Sequence, residues 1–263
     1  MNTQIIRSFL RKAGILPVID SLRYYFIRLR NNKKNSFFLK EHPSFKPPPS
    51  KAAYDAYTTI DHSSYFNSGK REAEIISEFV ERFSEGKKVL DFGCGSARIL
   101  RHLDSKKYSL TGSDYNKEAI EWCKVNLPDI KFISNALLPP LDLKSDTFNF
   151  AYAISVFTHL SEEVQIQWLK ELERVTANNG HIMITLHGER HASKLTMEEL
   201  LKFKKGEAVI RGNVKEGSRI FTSYHSPKYA KENLFKDKEI VYFSDEPLHK
   251  DFTQDVYIIK VKK

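Results

Sequence analysis

The feature that most constrains the fold is a strand-like apolar run that leads into a glycine-rich turn. The run Val-Leu-Asp-Phe-Gly-Cys-Gly-Ser-Ala-Arg occupies positions 89–98. Gly93 and Gly95 can adopt backbone conformations that are closed to bulky residues. Small residues at such a turn also let the backbone approach a bound nucleotide-like ligand. The run therefore predicts a buried strand, a tight ligand-binding turn and the start of a helix over about 97–104.

Similar apolar runs recur along the chain and alternate with helical patterns. The sequence predicts strands at 88–92, 109–113, 131–134, 148–154 and 181–187. It predicts a first helix over about 70–84. A second is expected between Asn116, which can cap it, and Pro128, which stops it, and a third begins at Ser161 and can end at Gly180. Strand–helix alternation of this kind implies an α/β fold with a parallel, doubly wound sheet. Two later runs, 239–244 and 255–261, suit an antiparallel pair at the edge of that sheet.

Three regions follow from this pattern. Residues 1–50 form a basic helical arm, which we expect to consist of two short helical stretches broken near Gly14 and Pro17. Residues 51–263 form the main domain. Within it, residues 188–237 are an insertion that we expect to cover a substrate, with a helix at 197–204 and a hairpin-like stretch over 209–221.

Charge is concentrated in the arm. Residues 1–50 carry ten Lys and Arg against two acids, whereas the remaining residues hold 32 Lys and Arg against 31 acids. The nearly neutral body disfavours nucleic acid as a partner. The two cysteines, Cys94 and Cys123, form no CxxC or Cys/His cluster, so neither a disulfide scaffold nor a metal site is expected. With no membrane span or secretory signal apparent, we expect a cytoplasmic protein.

Two familiar nucleotide motifs fit the turn poorly. A dinucleotide-binding GxGxxG would place its third glycine where this chain has Arg98. The GxxxxGK[ST] pattern of a P-loop is absent.

The pattern Asp-x-Gly-x-Gly-x-Ala instead resembles the first motif of class I S-adenosylmethionine-dependent methyltransferases. A second acid, Asp114, ends the next predicted strand, where a carboxylate can accept both ribose hydroxyls of an adenosine. The later segment Ser155-x-x-x-His159-Leu160 also resembles small-molecule members of this class. The resemblance covers about residues 70–187 and implies a Rossmann-like seven-stranded sheet with an antiparallel C-terminal hairpin.

The resemblance implies S-adenosyl-L-methionine as cofactor. It assigns cofactor contacts to residues at the carboxyl ends of the first four strands: Asp91, Gly93, Cys94, Gly95, Asp114, Tyr115, Asn135, Ala136, Ile154 and Ser155. Tyr57 and Tyr65 precede the first predicted helix of the domain, and an aromatic ring there could contact the sulfonium by a cation–π interaction.

The acceptor is less constrained than the cofactor. A hydroxyl acceptor needs a general base, and His159 and His187 both follow predicted strands at the ligand-binding edge of the sheet. Tyr224 and His225 in the insertion are candidates for substrate contact. The Asn/Asp-Pro-Pro-Tyr/Phe segment of enzymes that methylate amide or base nitrogens is missing. We therefore expect O-methylation of a sugar, glycan or other small metabolite, with N-methylation of an amino sugar as an open alternative.

Two other functions stay open at this point. The chain could be an RNA or protein methyltransferase that docks through its basic arm, or a cofactor-binding scaffold without catalysis. The arm could contact the inner face of a membrane, pack on its own domain or mediate a homodimer. Its His42-Pro43-x-Phe45 segment and proline-rich exit resemble methyltransferases associated with surface-polysaccharide biosynthesis.

Overall fold

The centre of the molecule is one mostly parallel sheet of seven strands. The computed structural model describes residues 14–250 and 252–263. The large sheet contains β1 (Lys88–Phe92), β2 (Ser109–Asp114), β3 (Lys131–Ser134), β4 (Phe148–Ala153), β5 (Thr176–Leu186), β8 (Glu239–Ser244) and β9 (Asp255–Lys260). Their order is β3-β2-β1-β4-β5-β9-β8, and only β9 runs antiparallel to its two neighbours. The predicted Rossmann-like sheet with an antiparallel C-terminal hairpin is confirmed.

The helices of the described residues are α1 (Leu16–Glu41), α2 (Ser50–Tyr57), α3 (His62–Phe83), α4 (Lys117–Asn126), α5 (Glu162–Val175), α6 (Met197–Lys205) and α7 (Pro227–Tyr229). Of these, α3, α4 and α5 pack their apolar sides against strands of the large sheet. In α5, for example, Val164, Trp168 and Leu172 are buried at helical spacing. Asn116 caps α4 as predicted, since its side chain accepts a hydrogen bond from the backbone N–H of Ala119.

The predicted helix over 97–104 is wrong. The segment forms turns and one short 3₁₀ helix, Leu100–His102. Ala97 has a φ of 58°, a left-handed conformation that a regular α-helix cannot contain. The glycine turn thus extends further than its two glycines suggested.

Gly180 does not end the helix that precedes it. That helix, α5, stops at Val175, and β5 begins at the next residue. Gly180 lies inside β5, where a β-carbon would come within 2.7 Å of the Thr176 methyl group and 2.9 Å of two backbone oxygens. The glycine is therefore required by a close approach within the sheet.

The N-terminal part of the described chain is more regular than predicted. Beyond Pro17 the arm continues as the single 26-residue helix α1, while the stretch predicted before Gly14 lies outside the described residues. The helix predicted over about 70–84 begins earlier, at His62, because the Asp61 side chain caps it. Tyr65 is consequently inside α3, and Tyr57 ends α2.

The insertion forms a small layer beside the sheet. It contains a 3₁₀ helix (Glu189–Lys194), α6, and the antiparallel pair β6 (Val209–Arg211) and β7 (Thr222–Tyr224). The second strand thus begins just beyond the predicted stretch. A segment between β6 and β7 folds back over the carboxyl edge of the sheet, where Gly217 donates a backbone hydrogen bond to the His159 carbonyl. This return positions the insertion beside the glycine turn.

Candidate active site

The glycine turn is held against the second strand by its own backbone. The N–H groups of Gly93 and Cys94 both donate to the Ser113 carbonyl, at 2.7 and 3.0 Å. Gly93 has a φ of 80°, and a β-carbon there would lie 2.2 Å from a Val156 methyl group. Only glycine fits this position, because its positive φ and the adjacent Val156 side chain both disfavour a β-carbon.

Asp114 sits beside the turn with its carboxylate fixed. One oxygen accepts from the Gly95 N–H at 2.7 Å and the other from the Asn116 N–H at 2.8 Å. Burial raises the pKa of Asp114. A carboxylate has about four acceptor positions, so Asp114 keeps acceptor capacity for a ribose hydroxyl.

A cavity of 610 Å³ opens above Asp114. Its volume lies within the range of about 300–1,000 Å³ that is usual for small-molecule sites. Asn135 and Ala136 line it after β3, and Tyr115 lines it after β2. The Asn135 amide is oriented, since it accepts from the Ser113 hydroxyl at 2.6 Å and donates to the Ala136 carbonyl at 2.6 Å.

A second, smaller cavity of 180 Å³ lies on the other side of the turn. Asp91 lines it, and burial raises the pKa of this carboxyl to about 7. Arg98 lines it too and forms two hydrogen bonds with Glu72, at 2.9 and 2.6 Å. The Tyr57 ring covers the Arg98 guanidinium at 4.5 Å. This end of the site is polar and charged.

The two cavities meet at the glycine turn. Both are lined by Ala56, Gly93, Ile154 and Ser155. An elongated ligand can therefore place one end over Asp114, its middle at Gly93 and its other end near Asp91. S-adenosylmethionine has this layout, with an adenosine, a central sulfonium and an amino-acid end.

The structure brings most of the predicted cofactor residues to these two cavities. The lining residues are Tyr57, Asp91, Gly93, Cys94, Gly95, Asp114, Tyr115, Asn135, Ala136, Ile154 and Ser155. Tyr65 lies elsewhere: it is buried beneath the turn, and its hydroxyl hydrogen-bonds the Ser96 carbonyl at 2.9 Å. Tyr65 thus supports the turn and lines neither cavity.

His159 lines the larger cavity, and its proton state can be derived from its partner. Its Nδ1 lies 2.6 Å from the Phe221 carbonyl oxygen, which can only accept, so Nδ1 carries the hydrogen. Burial lowers the pKa of His159. The ring is therefore neutral at pH 7, and its Nε2 has a free lone pair.

His187 has similar chemistry at a different place. Its Nδ1 lies 3.2 Å from the Ser223 carbonyl, and burial together with neighbouring His191 and His159 lowers its pKa well below the usual range. Its ring lies 6.4 Å from that of His159 and 5.2 Å from that of Tyr224. His187 lines neither of the two cavities.

Tyr224 and His225 are both buried in the insertion. The Tyr224 hydroxyl interacts with Arg211 at 3.4 Å, and the His225 ring packs on Tyr229 with centroids 5.3 Å apart. Neither residue lines the two cavities. Substrate contact by this pair stays a prediction.

Sequence reasoning missed the residues that close the larger cavity. Asp20 on α1 and Arg219 in the insertion both line it and form an ion pair with each other. Sequence reasoning also missed Glu72, which lines the smaller cavity. It lies among the buried residues of α3, and an acid in such a position could have been noticed, because buried acids are usually paired. The Asp20–Arg219 contact joins distant parts of the chain and has no local signature.

Comparison with known proteins agrees with this geometry. Residues 89–180 match a family model described as a methyltransferase domain. A probable tRNA methyltransferase 9B of Mus musculus is 24% identical over 172 residues, which is 62% of this chain and 36% of that protein. An uncharacterized methyltransferase of Oceanobacillus iheyensis is 26% identical over 132 residues, 49% of this chain and 60% of that protein. The chain thus spans between about a third and three fifths of these two curated relatives.

A solved structure shares the architecture as well. An S-adenosylmethionine-dependent methyltransferase from Methanosarcina mazei superposes with a TM-score of 0.55 at 22% identity, covering 70% of this chain and 97% of that one. The chain therefore has the fold of class I S-adenosylmethionine-dependent methyltransferases. Within this fold, residues 89–180 are the part that matches the methyltransferase-domain model, and they include the glycine turn and Asp114.

The described residues also fit the cofactor of this class. Asp114 offers free acceptor positions to a ribose, and the polar cavity beside Asp91 suits an amino-acid group. The turn between them presents backbone and no side chain at Gly93. S-adenosylmethionine is the cofactor that this site accommodates.

Proposed function

We propose that this chain transfers the methyl group of S-adenosylmethionine to a hydroxyl of a sugar, glycan or other small metabolite. The observation that carries the proposal is the paired cavity around Gly93, with Asp114 at one end and Asp91 at the other. The bound cofactor supplies a methyl group already activated by the positive sulfur. The protein then has to align an acceptor and exclude water.

His159 supports a hydroxyl as the acceptor. A hydroxyl must lose its proton as it attacks, and a neutral imidazole with a free Nε2 can take that proton. The Phe221 carbonyl fixes the tautomer that leaves Nε2 available. His187, 6.4 Å away between ring centroids, is a positioning residue in this proposal.

The insertion and α1 enclose the acceptor side of the larger cavity. Lys215, Gly217, Ser218, Arg219 and Ile220 line it from the insertion, and Pro17, Asp20 and Ser21 line it from α1. A cavity of 610 Å³ shared with an adenosine leaves space for a small acceptor or the end of a glycan.

Calorimetric titration of S-adenosylmethionine and S-adenosylhomocysteine tests the cofactor site. We expect Asp114→Ala to weaken binding at least tenfold, or ~1.4 kcal/mol. Asp129→Ala, an exposed acid in the turn before β3, should bind like the wild type. No binding of either ligand by folded wild-type protein would overturn the proposal.

A screen of acceptors then tests the substrate class. Nucleotide sugars and glycans would be incubated with protein and cofactor while S-adenosylhomocysteine release is measured. Transfer to tRNA with none to sugars would instead favour an RNA methyltransferase, a function that the name of the mouse relative suggests. Cofactor binding with no turnover on any acceptor would favour a scaffold.

A further inference from the structure

Helix α1 carries an uncovered apolar stripe along its outer face. The stripe consists of Ile15, just before the helix, and of Val18, Ile19, Leu22, Tyr25, Phe26 and Leu29. Leu22 is 66% exposed, Phe26 65% and Leu29 79%. The spacing of three and four residues places all of them on one side of the helix. Soluble proteins usually turn such a stripe toward their own core.

The opposite face already holds the helix on the domain. Tyr24 and Phe38 are buried there, and the Tyr24 ring packs edge-on against Tyr54 with centroids 5.3 Å apart. Asn35 donates to the Ile60 carbonyl at 2.7 Å and accepts from the His62 N–H at 2.9 Å. The outer stripe is therefore not needed to attach α1.

Basic residues surround the stripe. Arg23, Arg28, Arg30, Lys33 and Lys40 are all exposed. Between Ile15 and Lys40 the chain has one acid, Asp20, and this acid is turned inward against Arg219 and Tyr54. The outer face of α1 thus combines apolar side chains with positive charge only.

This combination selects among the surfaces that could cover the stripe. Two copies of the chain paired through it would bring their basic residues close together, with no acid on the face to offset them. An anionic lipid surface accepts apolar side chains and attracts the surrounding cations. Across the described residues, no helix is both long and apolar enough to cross a membrane, so α1 would lie along the surface.

We propose that α1 docks this chain on the surface of an anionic lipid bilayer, with the stripe inserted at the headgroup level. Pro17, Asp20 and Ser21 of the same helix line the larger cavity. Docking therefore brings the cavity close to the bilayer. Resting on the proposed function, this placement favours an acceptor sugar carried on a lipid.

Sedimentation with lipid vesicles tests the docking. Vesicles of phosphatidylcholine alone would be compared with vesicles that also contain phosphatidylglycerol, at low and high salt. We expect the wild type to sediment only with the anionic vesicles, and less at high salt. The double variant Leu22→Glu/Phe26→Glu should lose at least ten-fold in partitioning.

Two further variants make the result specific. Met197→Glu/Leu201→Glu adds the same two charges at exposed apolar positions of α6 and should partition like the wild type. Arg23→Gln/Arg30→Gln/Lys33→Gln should lose the preference for anionic lipid. Equal partitioning of the stripe variant and the wild type, or no partitioning by either, would overturn the proposal.

Other partners would give different results. A wild-type dimer that becomes monomeric in Leu22→Glu/Phe26→Glu, without vesicle binding, would show that a second copy covers the stripe. Binding of tRNA through the basic residues, without vesicle binding, would also contradict docking on lipid. Calorimetry of the stripe variant should show unchanged S-adenosylhomocysteine binding, because its substitutions lie outside the cavity. Sedimentation and calorimetry therefore test the two proposals separately. Docking can fail while cofactor binding is observed, and cofactor binding can fail while docking is observed.

Discussion

Asp20 of α1 and Arg219 of the insertion form an ion pair in the wall of the larger cavity. The Tyr54 hydroxyl donates to the same Asp20 carboxylate at 2.9 Å, and the Tyr54 ring lies 4.4 Å from the Arg219 guanidinium. Both side chains of the ion pair are largely buried. The contact therefore joins two cavity walls that are distant in sequence.

Breaking this ion pair should loosen the cavity. We expect Arg219→Gln to speed the dissociation of S-adenosylhomocysteine several-fold in stopped-flow displacement, because the insertion can then move away from α1. Arg190→Gln removes a more exposed ion pair with Glu246 and serves as the control. Equal dissociation rates in all three proteins would show that the pair does not restrain the ligand.

The buried ion pair between Glu72 and Arg98 should matter for stability. Glu72→Gln leaves a buried guanidinium without its counter-charge, and we expect a loss of about 3–5 kcal/mol in the free energy of unfolding. Urea denaturation measures this change. Glu121→Gln, in a well-exposed pair with Lys124, should cost no more than about 0.5 kcal/mol. A small effect at Glu72 would mean that water reaches Arg98 more freely than its burial indicates.

Asp91 should make the stability of the free protein depend on pH. Burial raises its pKa to about 7 from an ordinary value near 4, so the folded state favours the neutral form. This contribution to stability is fully present below about pH 4 and is lost as the pH rises through 7. Asp91→Asn should therefore gain roughly 1–3 kcal/mol over the wild type between about pH 5 and pH 8. Urea denaturation of both proteins at the two pH values measures this. An equal difference in unfolding free energy between Asp91→Asn and the wild type at both pH values would contradict the prediction.

His225 should have the opposite pH dependence. Burial lowers its pKa to about 3, and neither ring nitrogen has a hydrogen-bond partner among the described residues. The unfolded chain takes up the proton first, so stability is lost as the pH falls below about 6.5. We expect His225→Leu to be nearly neutral at pH 8 and about 2 kcal/mol more stable than the wild type at pH 5. Thermal unfolding at the two pH values checks this, with pH 8 as the internal control for packing; an equal difference at both pH values would exclude titration of His225.

Sequence patterns predicted the bounds of several strands closely. The bounds of the strands Lys88–Phe92, Lys131–Ser134 and Glu239–Ser244 agree with the prediction to the residue. Local apolar runs and the turn residues beside them carry this information. The strand that contains Gly180 was predicted too short, because glycine in a close approach looks like a helix terminator in sequence.

The sequence predicted the candidate cofactor residues at the strand ends. It did not predict the residues of α1 and of the insertion that enclose the larger cavity. Asp91, Gly93 and Asp114 lie at or just after the ends of predicted strands, and the resemblance of this motif to class I methyltransferases marked them as cofactor residues. Asp20 and Arg219 meet only through the tertiary structure, and nothing in their local sequence marks them as partners.

The enclosure also has a consequence for how the protein is made. Walls of the larger cavity come from Pro17 near the start of the described chain and from Ile220 close to its end. A ribosome must therefore translate beyond Ile220 before the cavity can close. The sheet strands that carry Asp91 and Asp114 emerge well before that point, so a nascent chain would meet the cofactor with an open site and enclose it only after the insertion has been made.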